Sequence, residues 1–141
     1  MNYWWILGIL IVVLFVFSYY KKYKLLKNMD KNSVDSPNLI ILNDSNYKKQ
    51  IKTGVSIIDF WAPWCMPCKV QGPIINEVAD EMAGKANICK INIDENKKAA
   101  AEFGIRSIPT ILIFRDGKIL KKLTGLKSKS VLIKNIQSNL I

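Results

Sequence analysis

From residue 39 onward, short apolar runs alternate with amphipathic segments, and this alternation leaves few possible folds. Apolar runs typical of strands cover residues 39–42, 55–61, 86–93, 110–114 and 119–123. Helical patterns cover 44–52, 65–82, 95–103 and a last segment that starts near 128–130. Such alternation requires parallel strands with helices on both faces, so we predict an α/β fold with a central mixed sheet. The last two strands are expected to form an antiparallel hairpin at the sheet edge.

Local signals refine this arrangement. The pair Asp116-Gly117 predicts the turn of the hairpin. Asp44 or Ser45 is expected to cap the first helix of the domain, and Ser128 or Ser130 the last one. Gly125 is expected to interrupt the final strand as a bulge.

The first 20 residues contain no charged side chain and predict a transmembrane anchor. A helix over residues 3–20 would span roughly 27 Å, close to the thickness of the hydrocarbon layer. Aromatic residues flank the run at both ends, as in proteins that cross a bilayer. A cleaved signal peptide is the alternative, but no Lys or Arg precedes the run and no small-residue cleavage site follows it. We expect an anchor at 1–20, a basic juxtamembrane segment and linker at 21–37, and a domain at 38–141.

Positive charge follows the apolar run and predicts its orientation. Lys21, Lys22, Lys24 and Lys27 lie just after it, while only the terminal amine lies before it. Because short cytoplasmic flanks are enriched in Lys and Arg, we expect a single-pass protein with its C-terminal domain in the cytoplasm. Translocation of the domain to the outside is the alternative. Membrane lipid is thus a predicted partner of residues 1–20.

The net charge of +10 raises the question of nucleic acid. A strongly basic protein binds either nucleic acid or an anionic surface when its charges are clustered. Here the lysines are scattered singly or in pairs, without a dense patch that includes aromatic residues. The pattern favours a solvated basic surface, and we expect no nucleic-acid partner.

Two of the three cysteines, Cys65 and Cys68, lie at the predicted junction of a strand and a helix. The free N–H groups and the dipole of a helix start stabilise a thiolate. One turn later, Cys68 lies on the same face and within reach of a disulfide. The spacing predicts a dithiol in which Cys65 attacks a substrate disulfide and Cys68 resolves the mixed disulfide. Pro67 fits the first helical turn, and Trp64 offers an apolar surface for docking.

Other interpretations of the cysteines are weaker. A zinc site needs four ligands, and a chain with no histidine and three cysteines does not supply them. A purely structural bridge across two residues would close a very short loop and stabilise the fold little. Cys89 lies in a strand pattern and is expected to be a small buried hydrophobe. We therefore predict redox chemistry, with no metal and no bound cofactor.

The motifs WCMPCK, the DFW before it, KINID, GIRSIPT and FRDGK follow one another along the chain. With this order and these spacings, residues 39–141 resemble thioredoxin over its whole length. The resemblance implies the thioredoxin fold, preceded here by one apolar helix. It also implies protein-disulfide reductase activity on disulfide-containing substrate proteins. A reductase of the thioredoxin-reductase type, or a membrane electron donor, would return the electrons.

The resemblance assigns roles to further residues. Asp59 corresponds to the buried acid that assists the second cysteine, and Lys90 to the lysine associated with that acid. In an apolar strand such a carboxyl has a raised pKa and can act as a base near neutrality. Pro109, after Ile108, corresponds to a cis-proline that faces the active site. Substrate docking is expected to involve the following residues: Trp61, Trp64, Met66, Pro67, Ile108, Pro109 and Gly125.

Met66 departs from the family pattern, which has glycine at this position. An exposed apolar side chain beside Cys65 leaves the reaction unchanged and affects the redox potential and the partner range. Two alternative functions stay open. An outward-facing domain would serve disulfide exchange or the maturation of cytochrome c, and a non-catalytic docking module would use only the apolar surface.

Overall fold

The computed structural model of the protein describes residues 1–31 and 34–140. The chain forms two units, Met1–Val34 and Asp35–Ile141. The first contains one helix, α1 (Trp4–Lys31). Its part Trp4–Lys24 is long and apolar enough to cross a membrane, by length and composition. Every side chain from residue 1 to 24 is exposed.

The helix α1 continues beyond the predicted anchor. We expected the anchor at residues 1–20 and a basic juxtamembrane segment and linker at 21–37, and the helix extends through much of that segment, to Lys31. Lysine and leucine dominate this extension, and both are good helix formers, so the helix propagates through it. Residues 32 and 33 of the predicted linker lie outside the described residues.

The second unit contains the predicted alternation of strands and helices. In chain order its elements are β1 (Leu39–Leu42), α2 (Tyr47–Gln50), β2 (Val55–Trp61), α3 (Met66–Glu81), β3 (Asn87–Asn92), α4 (Lys97–Glu102), β4 (Thr110–Arg115), β5 (Lys118–Thr124) and α5 (Lys129–Gln137). The predicted fold class is confirmed: these strands form one mixed sheet with helices around it.

The strand order is β1-β3-β2-β4-β5. Strands β1 and β2 run parallel to β3, whereas β4 runs antiparallel to both β2 and β5. The prediction that both hairpin strands lie at the edge was therefore wrong for β4, which is an interior strand. The physical reason is that β4 is mainly apolar, with five of its six residues buried, as suits an interior strand. In contrast, β5 carries exposed lysines, which suit an edge.

Two apolar cores lie on opposite faces of the sheet, and β2 contributes to both. Ile57 packs with residues of α3 and α5, such as Ile75 and Leu132. Ile58 joins the other core, which also contains residues of α2 and α4. Because successive strand residues point to opposite faces, Asp59 lies on the same face as Ile57, the face that α3 and α5 cover.

Positive backbone angles identify two of the turns. Asp116 and Gly117 have φ of 50° and 81°, and they connect β4 to β5 as the predicted hairpin turn. Gly125 also has φ of 81°, but it follows the end of β5. The predicted bulge at Gly125 was wrong: the register shift lies near Ile113, where the partner strand has the additional residue Leu120.

Of the two predicted helix caps, the one of α5 is confirmed and the one of α2 is not. Ser128 caps α5 as predicted, since its hydroxyl accepts the N–H of Val131 at 3.4 Å. The N-cap residue of α2 is Asn46, so the prediction of Asp44 or Ser45 was wrong. The Asp44 carboxylate instead accepts the Lys98 and Ala99 N–H groups, at 3.2 and 2.8 Å, and so caps α4.

Candidate active site

Cys65 lies where the chain passes from β2 into α3. Its backbone is extended, with φ of −84° and ψ of 107°, and it is the N-cap residue of the helix. Its sulfur accepts the N–H of Cys68 at 3.2 Å. Pro67 lies in the first turn of α3, where its missing N–H breaks no intrahelical hydrogen bond. The predicted placement of the two cysteines at a helix start is therefore confirmed.

The two sulfurs are joined in a disulfide, so the structure describes the oxidised form. The Cα atoms of Cys65 and Cys68 are 5.2 Å apart. Both residues are buried, each with 4 % of its surface exposed. Ala62 completes this small cluster, and partly buried Trp61 and Ile108 pack against it. Exchange chemistry at this position is therefore shielded from bulk water on most sides.

Asp59 lies in the middle of β2 and is almost completely buried, with 2 % of its surface exposed. Its Oδ1 atom has no hydrogen-bond partner among the residues that the structure describes. Burial raises the pKa of Asp59 to about 7, and the positive charge of Lys90 opposes this rise. The carboxyl is therefore able to gain and lose a proton near neutral pH.

Lys90 is the neighbour of Asp59 on the adjacent strand, as the register of β2 and β3 shows. Its ammonium group forms an ion pair with Asp35. The same nitrogen lies 5.2 Å from the centre of the Trp61 ring, over its face. Sequence reasoning missed Asp35, because it assigned this residue to a linker.

The surface around the disulfide is apolar. Trp64 and Met66 are exposed by 67 % and 50 %, and Pro67 is exposed too. The Trp64 indole N–H donates to Asp94 at 3.0 Å, which fixes the ring. A groove of about 320 Å³ begins at this ring; its lining consists of Trp64, Ile93, Ile105, Arg106, Ser107 and Ile108.

The loops that precede and follow the β4–β5 hairpin are joined by a backbone hydrogen bond. The peptide bond between Ile108 and Pro109 is cis, as the resemblance implied. Pro109 is buried and Ile108 is half-buried. The N–H of Gly125 donates to the carbonyl of Pro109 at 2.8 Å, so the two predicted docking residues are adjacent.

Gln71 is a second residue that sequence reasoning missed. It is fully buried in α3, and its side-chain amide binds the backbone of Lys127 twice. The Lys127 N–H donates to Oε1 at 2.8 Å, and Nε2 donates to the Lys127 carbonyl at 3.1 Å. Gln71 thereby fixes the loop that follows Gly125. Its position, three residues after Cys68 and four before Ile75, was the available signal that it faces the interior.

Cys89 takes no part in this site. It is fully buried in β3, as predicted, and burial raises the pKa of its thiol to about 12. Among the described residues, no group of three or more His, Cys, Asp or Glu side chains is placed to hold a metal ion.

The family model described as Thioredoxin matches residues 38–138. A thioredoxin from Staphylococcus saprophyticus is 42 % identical over 102 residues, which are 72 % of this chain and 98 % of that protein. A thioredoxin from Staphylococcus haemolyticus is 40 % identical over the same shares of both chains. Among solved structures, a single-residue mutant of thioredoxin from Halobacterium salinarum matches with a TM-score of 0.69 and 28 % identity. That match covers 77 % of this chain and 97 % of the other.

The family match extends across the sheet, α2 to α5 and the residues around the disulfide, while α1 lies outside its residues 38–138. Thioredoxins act on disulfides of other proteins without a bound cofactor. The chain belongs to the thioredoxin family and is a thiol–disulfide oxidoreductase with Cys65 and Cys68 as its CxxC pair.

Proposed function

We propose that this protein is a membrane-tethered reductase of protein disulfides. The observation that carries the proposal is the contact at the start of α3, where the Cys65 sulfur accepts the N–H of Cys68 at 3.2 Å. After reduction of the pair, the same N–H group and the helix dipole favour a thiolate on Cys65. A thiolate is the nucleophile that disulfide exchange requires.

The reaction proceeds in two exchanges. The Cys65 thiolate attacks one sulfur of the substrate disulfide, forms a mixed disulfide and releases the other sulfur as a thiolate. Cys68 then loses its proton, and its thiolate attacks the Cys65 sulfur. This second attack breaks the mixed disulfide and releases the remaining substrate sulfur. The substrate gains two electrons, and the protein is left with the Cys65–Cys68 disulfide.

Asp59 is our candidate for the base that takes the proton from Cys68. Its burial supports this role, because burial raises the pKa of Asp59 to about 7. A base with such a pKa is half ionised at neutral pH and is able to accept a proton there. Lys90, its neighbour on β3, supplies the positive charge that keeps this pKa from rising further.

Substrates are proposed to bind along the apolar surface next to Cys65. Exposed Trp64 and Met66 and the groove beside Ile108 suit an extended apolar peptide around the target disulfide. We expect Pro109, directly after Ile108, and the loop at Gly125, which is hydrogen-bonded to it, to border the same surface. Trp61 packs against the small cluster of Ala62, Cys65 and Cys68 and so adds to this apolar environment.

The helix α1 is proposed to hold the domain at a membrane. Its part Trp4–Lys24 has the length and apolar composition of a membrane span, and its side chains up to residue 24 are exposed. Lys21, Lys22, Lys24 and Lys27 follow the apolar part, which favours a cytoplasmic domain. There, a reductase of the thioredoxin-reductase type would restore the dithiol. An outward-facing domain would require a membrane electron donor.

Reduction of insulin by the full-length protein in mild detergent tests the chemistry. We expect Cys65→Ser to lower the rate by about a thousandfold or more, because the attacking sulfur is lost. Cys68→Ser should accumulate mixed disulfides, since the second exchange is lost. Cys89→Ser is the matched control and should keep the native rate. Undiminished activity of Cys65→Ser would exclude this mechanism, and partner binding that survives loss of both cysteines would favour a docking module.

Protease treatment of sealed vesicles tests the orientation. We expect the domain to be digested in inside-out vesicles and protected in right-side-out vesicles. Recovery of the protein in the soluble fraction, without detergent, would contradict the tether. Digestion only in right-side-out vesicles would favour an outward-facing domain in disulfide exchange or cytochrome c maturation.

A further inference from the structure

The segment before β1 is bound to the domain by several polar contacts. The Ser36 N–H donates to the Asn76 side chain at 3.1 Å, and the Ser36 hydroxyl donates to Asp80. Asn38 also donates to Asp80, at 3.0 Å. Asn76 and Asp80 belong to α3, so this helix fixes the backbone on both sides of Pro37. Asp35, directly before Ser36, is thereby held next to Lys90 of β3.

Asp35 forms its ion pair with Lys90, a residue whose side chain is only 19 % exposed. The Asp35 side chain is itself 41 % exposed. The Lys90 ammonium contacts both the Asp35 carboxylate and the face of the Trp61 ring, 5.2 Å from the ring centre. Two partners, one anionic and one aromatic, determine where this cation lies.

The position of this cation matters because Lys90 and Asp59 are neighbours in register on β3 and β2. Across the other side of β2, the neighbour of Asp59 is the apolar Ile111. The helices on the same face contribute apolar side chains to the core. The sulfurs of Cys65 and Cys68, at the start of α3, do not titrate while they are joined in the disulfide. Lys90 is thus the cation that acts on Asp59.

We propose that Asp35 is a positioning residue for the buried acid of the active site. It binds the Lys90 ammonium at the Trp61 ring and thereby keeps this cation from pairing with Asp59. This position of the cation favours the protonated form of Asp59, so Asp35 sets, through Lys90, the pH at which Asp59 exchanges its proton. The consequence for catalysis rests on the role proposed above for Asp59.

The test is the titration of Asp59 in the full-length oxidised protein in detergent, monitored through the ¹³C chemical shift of the Asp59 carboxyl carbon. We expect Asp35→Asn to lower the midpoint by about half a pH unit, less than the one to three units of a direct ion pair. In Lys90→Met the midpoint should rise, because the cation is lost. Adding Asp35→Asn to Lys90→Met should then change it no further. The disulfide excludes interference from cysteine titration.

Glu77→Gln is the matched control. It removes one carboxylate of α3, and that carboxylate pairs with Lys129 rather than Lys90. We expect its Asp59 midpoint to stay at the native value. An unchanged midpoint in Asp35→Asn would overturn the proposal. So would an equal shift in Glu77→Gln, or a shift in Asp35→Asn that persists without Lys90.

The readout does not depend on activity. A shifted midpoint without a matching shift in the pH profile of insulin reduction would contradict the role of Asp59 in catalysis and leave the effect of Asp35 on its titration intact. A pH profile that moves with the midpoint supports both.

Discussion

The two units of this chain use similar side chains in opposite ways. Between residues 4 and 17, α1 is built from apolar residues and glycine, and every one of these residues is exposed. In the second unit, side chains of the same types lie in two cores, and Ile57, Ile58 and Phe60 have no exposed surface. The apolar residues of the domain drive its folding because they leave water together. Those of α1 are exposed, and their length and apolar composition suit a membrane span.

The difference teaches that apolar content alone does not identify a folded core. What distinguishes the two units is periodicity and interruption: the domain alternates apolar runs with turns, whereas α1 is apolar on every side. The domain also tolerates buried polar groups, of which Gln71 is hydrogen-bonded and Asp59 is not fully so. Substitutions in the two units should therefore have different kinds of effect.

The largest expected effect comes from a charge placed in each unit. Ile57→Arg should unfold the domain, because the free-energy cost of an unpaired charge in a fully buried site exceeds the usual stability of a domain of this size.

Val12→Arg, in α1, should leave the thermal unfolding of the domain unchanged. It should lower recovery of the protein with membranes, because the arginine costs about 3 kcal/mol on insertion. Circular dichroism and membrane fractionation measure the two effects. A domain that melts in Val12→Arg would break the comparison.

A smaller effect is expected at Asp59, the polar exception in the core. Its pKa is about 7 in the folded protein against an ordinary value of 3.8, so the folded state holds the proton more tightly than the unfolded state. Stability should therefore fall as pH rises from about 4 to 7 and stay low above that range. Asp59→Asn removes this loss and should raise the free energy of unfolding by about 2–4 kcal/mol at pH 8.

Urea denaturation of the full-length protein in detergent at pH 4, 6 and 8 measures this dependence. Near pH 4 the native protein and Asp59→Asn should differ little, because Asp59 is protonated in the folded state there. A stabilisation of equal size at pH 4 and pH 8 would mean that the ionisation of Asp59 is not its cause.

The smallest expected effect concerns Gln71, the buried polar group that has its partners. Gln71→Ala leaves the N–H and carbonyl of Lys127 without these bonds, so the free energy of unfolding should fall by about 1–3 kcal/mol. Gln137→Ala, at an exposed position of α5, is the control and should change it by less than about 0.5 kcal/mol. Urea denaturation at pH 7 separates the two variants. Equal losses would contradict the role of Gln71 in fixing the loop.

Much of the fold could be predicted because its signals are local. The apolar run of β2, the turn at Asp116-Gly117 and the cap at Ser128 depend on residues close in sequence, and each was found. The site was found in the same way, because Cys65 and Cys68 share one helical turn.

What could not be predicted depends on contacts between distant segments. Asp44 caps α4 across a sequence separation of 55 residues, and Asp35 pairs with Lys90 across the same separation. Sequence alone gave no reason to choose these partners over nearer ones. The apolar composition of β4 suits an interior strand, but its pairing with β2 joins segments that are about 50 residues apart in sequence.

The burial of Cys89 separates the three cysteines of this protein into two classes. A reagent that alkylates thiolates should modify the active-site pair of the reduced, folded chain and leave Cys89 unmodified, since the pKa of about 12 leaves the Cys89 thiol protonated inside β3. The adduct on Cys89 then appears only on molecules whose sheet has opened. Mass spectrometry of alkylated protein therefore counts unfolded chains directly, with a reporter that the native sequence already contains.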